Sequence, residues 1–271
     1  MNKKSSLMSR LAGAPYIVWA ALFIIVPLCM VAYYAFTDSN GVFTLNNLSD
    51  IGKYADTFIL SIWLGLLATV ICLVVAYPLA YIMAQKGPEK QSSMTMLIML
   101  PMWMNFLLRT YSWMTILEDN GLLTSALNFI VDSINNLTNA GLEPVHLINT
   151  RGAVVVGMVY NFLPYMILPI YTVMLKTDRS LVEAAQDLGG NKLDVFRNVT
   201  IPLSVPGIVS GFTMVFVPSV STFYISQKLG GTGTILIGDI IETQFQTANN
   251  FHLGASLSFV LMILIFICLA V

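Results

Sequence analysis

Residues Glu183 to Pro202 read EAAQDLGGNKLDVFRNVTIP. The stretch is polar, broken by Gly189-Gly190, and set between two long apolar runs. Seven of the residues from Asp178 to Arg197 are Asp, Glu, Lys or Arg, in a chain where only 10% are. A soluble domain carries about 25% charged residues. A chain this poor in charge and 56% hydrophobic cannot cover itself with a water-compatible surface. Its mean hydropathy is +0.77. The charged stretch is therefore an exception that needs a reason.

The apolar runs on either side are long enough to cross a bilayer, which takes about 20 apolar residues as a helix. Six spans are expected, at about 15–36, 58–84, 91–117, 152–175, 202–226 and 253–271; only Arg109 interrupts the third. The fold class is all-α integral membrane, with one membrane domain over 1–271. Lys3, Lys4 and Arg10 resemble the start of a signal peptide, but the apolar run behind them is too long for one, so it is read as a membrane helix. Basic residues in short loops orient a membrane protein. With both termini cytoplasmic, Lys86, Lys90, Lys176, Arg179, Lys192 and Arg197 fall inside, and only Lys53, Arg151 and Lys228 fall outside. The charged stretch then faces the cytoplasm, and the outer surface is acidic.

Other features are quieter. Cys29, Cys72 and Cys268 all lie in apolar runs, with no metal spacing. His146 and His252 stand alone in outer loops, so no catalytic or metal site is expected. The outer loop Thr37–Thr57 carries the turn signal DSNG. A second outer loop, Glu118–Thr150, places Leu122, Leu123, Leu127, Ile130 and Ile134 near helical spacing, which predicts a short amphipathic helix. Prolines recur inside the spans and predict bends where neighbours satisfy the freed carbonyls. Ser61-x-x-x-Gly65 and Gly207-x-x-x-Gly211 are faces suited to close helix packing.

Within the charged stretch, Ser180-Leu-Val-Glu183 has the form of a capping box. Leu181, Ala184, Ala185 and Leu188 share one face of the helix it would start, and Gly189-Gly190 stops it. Asn191, with Asp194 three residues on, can cap a second helix whose apolar side is Leu193, Phe196 and Val199. Two short helices joined by a Gly-Gly bend result. They can serve as a solvated connector or as a rigid knob that docks in a partner's groove.

The spacing Glu183-Ala184-Ala185, three residues, Gly189, nine residues, Val199-x-Ile201-Pro202 resembles the EAA loop of ATP-binding-cassette (ABC) importer permeases, with Val199 and Ile201 as mild departures from Ile and Leu. LPMWMNFLLRTYSW (Leu100–Trp113), MVYNFLPYMILPIY (Met158–Tyr171) and STFYISQKLGGTGTILIGDIIETQF (Ser221–Phe245) extend the likeness to the polyamine (spermidine/putrescine) permeases among them. The resemblance implies a MetI-like, type I importer fold in a bacterial inner membrane. It implies that the loop at about 178–202, with Glu183, Ala184, Ala185, Asp187, Gly189 and Gly190, couples to an ATP-binding subunit dimer. A second homologous permease, an extracytoplasmic polyamine-binding protein and the lipid bilayer complete the partners; no nucleic acid is among them. ATP and magnesium belong to the ATPase, since this chain has no phosphate-binding G-x-x-x-x-G-K-[ST] and binds no cofactor of its own. ATP-driven closure of that dimer would draw the loops together and open the pore outward. Sulfate, iron or sugar permeases of the same family, and an ion-coupled carrier, are the alternatives.

A polyamine favours carboxylates and aromatic faces. Asp239 and Glu242, before the last span, are candidates to attract or pass it. Asn105, Arg109 and Trp113 repeat every four residues on one face of the third span, with Trp103 nearby. Tyr160 and Asn161 offer a similar patch in the fourth span. Arg109, a cation, is read as a gate or structural residue paired with an outer carboxylate such as Glu118 or Asp119.

Overall fold

The computed structural model describes residues 15–38, 40–138 and 141–270, without the side chains of Leu48, Asp50, Thr138 and Arg179. Lys3, Lys4 and Arg10, read above as the basic start before the first span, and Val271, the end of the last, lie outside the described residues. Among the described residues the regular elements are all helices, apart from one isolated bridge between Thr37 and Phe43. It divides into two compact units, Met1–Asp56 with Ile240–Val271, and Thr57–Asp239.

The first unit pairs helix α1 (Pro15–Ala35) with the last helix, α11 (Phe251–Ala270). Polar atoms knit an otherwise apolar contact: Ser256 Oγ donates to the Ala35 carbonyl at 3.1 Å, and His252 Nδ1 lies 3.2 Å from the Tyr34 carbonyl. Phe36 meets Phe259 edge to face at 5.3 Å. The DSNG turn closes as expected, with Gly41 at φ +74° and its N–H on the Asp38 carbonyl.

The second unit is built on α2 (Ala55–Ala84), α6 (Arg151–Lys176) and α9 (Ile201–Ser221). Each is long and apolar enough to span a membrane, as are α1 and α11. The buried core runs along α6 through Val154, Met158, Met166 and Ile170 and along α2 through Ala68, Cys72, Ala76 and Ala80. Small residues set the distances. A Cβ on Gly207 would lie 2.9 Å from Ile170 Cα and from the Pro169 carbonyl, so α9 rests directly on the backbone of α6. Gly65 admits Val220 in the same way. Both small-residue faces read from the sequence are packing faces.

The expected third span is not one helix. It is α3 (Pro88–Trp103) and α4 (Phe106–Leu117), separated at Met104–Asn105. Two features account for the break. Pro101 has no N–H for the ladder, and Asn105 turns extended and accepts from the Leu107 N–H at 2.8 Å, capping a new helix. The described residues thus contain five uninterrupted apolar helices of spanning length, where six spans are expected.

The amphipathic helix expected in the outer loop is α5 (Leu122–Thr138). Two asparagines on one face pin the chain that follows. Asn128 gives Nδ2 to the Val145 carbonyl and takes the Val145 N–H, at 3.3 and 2.7 Å. Asn135 does the same with Leu142, both at 2.8 Å.

Candidate functional site

The charged stretch forms two helices, α7 (Arg179–Asp187) and α8 (Lys192–Val195), and α8 runs through a π turn, Phe196–Thr200, into α9. The start of α7 differs from the expected Ser180 box. Asp178 is the cap, accepting from the Ser180 N–H at 3.0 Å, and bonds from Ser180 hold its carboxyl below the usual carboxylate range. A cap two residues earlier leaves Glu183 free of that duty. Gly189 ends the helix at φ +86°, in the left-handed region that glycine tolerates. The second cap is as expected: Asn191 accepts from Leu193 and Asp194, and Asp194 reaches back to the Asn191 N–H. The π turn precedes Pro202, which has no N–H to return to the Asn198 carbonyl.

Helix α7 is exposed on most of its surface. Half-buried Val182 and exposed Glu183 and Gln186 line a cleft of about 600 Å³, with Tyr81, Gln85, Gln91 and Val199. Leu181, Ala184 and Leu188 face outward; Leu188 is 90% exposed, and Leu193 on α8 is 72% exposed. Large apolar side chains exposed together on one face form the kind of patch that marks an interaction site. Asp187 and Gly189 are exposed beside it, and Ala185 and Gly190 are half-buried, with the Gly190 N–H on the Ala185 carbonyl. The residues of this loop singled out in the sequence therefore divide between the exposed apolar face of α7 and the cleft beside it, which Glu183 lines.

What fixes this knob to the bundle is aromatic. Phe196 meets Tyr77 and Tyr81 of α2 edge to face, at 5.8 and 5.7 Å. Tyr77 also hydrogen-bonds Ser204 across to α9 at 3.0 Å, and Val195 is buried at the joint. Sequence reasoning did not single out Tyr77 and Tyr81. Their one-turn spacing at the end of a span was the available signal, and it reads equally well as an interfacial anchor.

The expected pathway residues are only partly brought together. Trp113 and Tyr160 meet edge to face at 5.3 Å. Trp103, 72% exposed, stands on an open groove with Thr95, Met99 and Tyr171. Asn105 is exposed and serves as the cap of α4, so it does not continue the helical face of Arg109 and Trp113. Asn161 is buried, giving Nδ2 to the Gly157 carbonyl at 2.9 Å. Asp239 is 6% exposed, and its Oδ2 accepts from the Leu236 N–H at 2.7 Å, at the start of α10 (Ile237–Gln246). Ser61 Oγ caps the same start from α2 by accepting from Ile237 N–H. Glu242, one turn on along α10, belongs to the first unit and is half-buried.

Arg109 corrects an expectation. It is buried with its guanidinium 6.0 Å from the Phe106 ring, and Nε and Nη1 have no hydrogen-bond partner among the described residues. It does not pair with Glu118 or Asp119. Nine or ten residues of helix place those carboxylates about 14 Å along the axis, and helical side chains lean toward the N-terminus, away from them. Asp119 instead meets His146 Nδ1 at 2.8 Å.

With this geometry in place, comparison with known proteins is informative. Residues 76–271 match the family described as binding-protein-dependent transport system inner membrane component. A spermidine/putrescine transport permease of Haemophilus influenzae is 33% identical over 91% of this chain and 86% of its own length. The Escherichia coli K12 counterpart is 33% identical over 93% and 92%. An inner membrane ABC transporter permease of the same organism, YdcU, is 28% identical over 79% and 70%. A bacterial ABC transporter involved in alginate import superposes with a TM-score of 0.74 over 98% of this chain and 94% of that one, at 15% identity, a likeness of fold.

Proposed function

The chain belongs to the family of binding-protein-dependent transport system inner membrane components, and on that premise we propose that it is the permease subunit of an ABC importer whose cargo is a polyamine, spermidine or putrescine. Its relatives of one-third identity along nearly the whole chain are permeases of that cargo. The observation that carries the coupling role is the exposed apolar face of helix α7, which offers Leu181, Ala184 and Leu188 outward. An ATP-binding subunit dimer is the proposed occupant of that face. A second permease and an extracytoplasmic binding protein complete the importer. The chain itself performs no bond chemistry; ATP and magnesium sit on the ATPase.

In this reading the α7 loop is cytoplasmic, as are both termini, supported by the excess of Lys and Arg at that end of the spans. Closure of the ATPase dimer moves α7 and α8 as one body, because Phe196 is held between Tyr77 and Tyr81. The motion then enters α2 and α9 directly, and the pathway alternates between its two openings.

The test is labelled spermidine uptake by cells lacking their own polyamine importers, expressing this chain with its genomic neighbours. Excess putrescine should block uptake, and sulfate or maltose should not. A complex that assembles with its ATPase but takes up no spermidine would keep the ABC permease and discard the polyamine.

A further inference from the structure

Lys228 lies in a π turn, Ser226–Gly230, that follows α9. Its ammonium stands 5.4 Å from the centre of the Tyr111 ring and 5.8 Å from that of Tyr224. The two rings meet edge to face, 6.2 Å apart at 81°. Tyr224 leans on Phe106 at 6.0 Å. Two elements distant in sequence, α4 and the segment after α9, thus build an aromatic cage around one primary ammonium. Tyr111 is 42% exposed, and Tyr224 and Lys228 are half-buried, so the cage is open at its mouth.

The cage sits at the end of the unit opposite the α7 loop. The π turn packs on the first turns of α6: Leu229 accepts from the Asn149 N–H at 2.9 Å, and a Cβ on Gly230 would lie 2.9 Å from Val154. The α7 loop follows the last turn of α6. A 26-residue helix separates them by about 39 Å. If α7 faces the cytoplasm, the cage faces the side from which substrate is delivered.

A lysine side chain is four methylenes ending in a primary ammonium. That is also the aminobutyl end shared by putrescine and spermidine, so a cage that holds Lys228 has the shape and the electrostatics to hold the cargo. We propose that Tyr111 and Tyr224 form a subsite for the terminal aminobutyl group of the polyamine, and that Lys228 competes with the cargo for it. The substrate class rests on the reading above; the cage and its preference for an alkylammonium rest on geometry. A resident competitor keeps the subsite weak, as a transport pathway requires, since cargo must leave as readily as it enters.

The experiment uses the assembled importer. Half-saturation for putrescine uptake is measured for the wild type, Lys228→Met, Tyr111→Leu, Tyr111→Phe and the double variant Lys228→Met/Tyr111→Leu. Freeing the cage should lower half-saturation in Lys228→Met by the weight of a cation–π contact, about two- to thirtyfold. Tyr111→Leu should raise it, and Tyr111→Phe, which keeps the ring but gives up the hydroxyl's interactions with Tyr224 and Lys228, should stay well below Tyr111→Leu. In the Tyr111→Leu background Lys228→Met should change little. An equal gain in both backgrounds would show that only positive charge had been removed, and would overturn the cage.

A second readout does not depend on transport. The 13C-dimethylated Lys228 signal, assigned by its loss in Lys228→Arg, should be ring-current shifted. It should return to an ordinary position on adding putrescine or n-butylammonium. A signal unmoved by either amine overturns the proposal. Displacement by n-butylammonium in an importer that moves no polyamine would keep the cage and reject the polyamine cargo.

Discussion

Replacing Leu188 and Leu193 together by Ser should release the ATPase from this subunit. Fully burying a leucine contributes about 1.5–3 kcal/mol. Scaled by their exposures of 90% and 72%, the two side chains have about 2–5 kcal/mol to gain when a partner covers them. At 1.4 kcal/mol per tenfold, even the lower end weakens binding about thirtyfold. The fold of the subunit should not suffer, because substitutions at exposed positions change stability by within about 0.5 kcal/mol. The assay is binding of the purified ATPase to the permease pair in nanodiscs, alongside uptake. Expected are normal insertion, a dissociation constant raised at least thirtyfold, and low uptake that recovers when the ATPase is overexpressed. A dissociation constant within twofold of the wild type would refute the outward face of α7 and α8 as the docking surface.

Three further outcomes follow from the packing and the caps. Gly207→Ala should cost about 1–3 kcal/mol, because its Cβ meets backbone, whereas Gly211→Ala meets first the mobile Sδ of Met166 at 2.7 Å and should cost less; thermal unfolding in detergent ranks the two. Asp239→Ala should lower the yield of folded protein and leave half-saturation for polyamine unchanged, since its buried carboxylate caps α10; a raised half-saturation at normal yield would restore it to the pathway. Asp178 has its carboxyl pKa depressed in the folded state, so its stabilisation of α7 is present above the unfolded value and is lost as pH falls through the folded one; amide exchange over residues 180–187, corrected for intrinsic rates, should rise only on that acid side.

Much of this was legible from composition and spacing. Apolar runs mark spans wherever nothing local competes, and α1, α2, α6, α9 and α11 follow them closely. The third span broke because Asn105 had a better use as a cap than as a helical residue, and hydropathy is blind to capping. The paired glycines foretold where α9 meets α6, because only a missing side chain lets two backbones touch. The coupling loop was readable as two helices, but not its polarity toward the bundle. Whether Glu183 points in or out depends on where α7 is docked, and that is set by Phe196 against two tyrosines more than a hundred residues away. Arg109 misled because a buried cation in sequence advertises a carboxylate partner, and only the fold reveals that its guanidinium lies against the Phe106 ring instead; the sequence likewise does not show that Asp239 accepts a backbone N–H at the start of α10.

The asparagine clamp on α5 has a consequence for how this loop can change. Asn128 and Asn135 are seven residues apart, about 10.5 Å along a helix. Leu142 and Val145, three residues apart in extended chain, span about 10 Å. Each amide grips only main-chain atoms, and Pro144, between them, favours the extended form of Glu143. The helix thus gauges the segment as a ruler does, by length and without regard to lettering. Side chains there are free to drift, while a single inserted or deleted residue would slide one grip off its mark by about 3.4 Å.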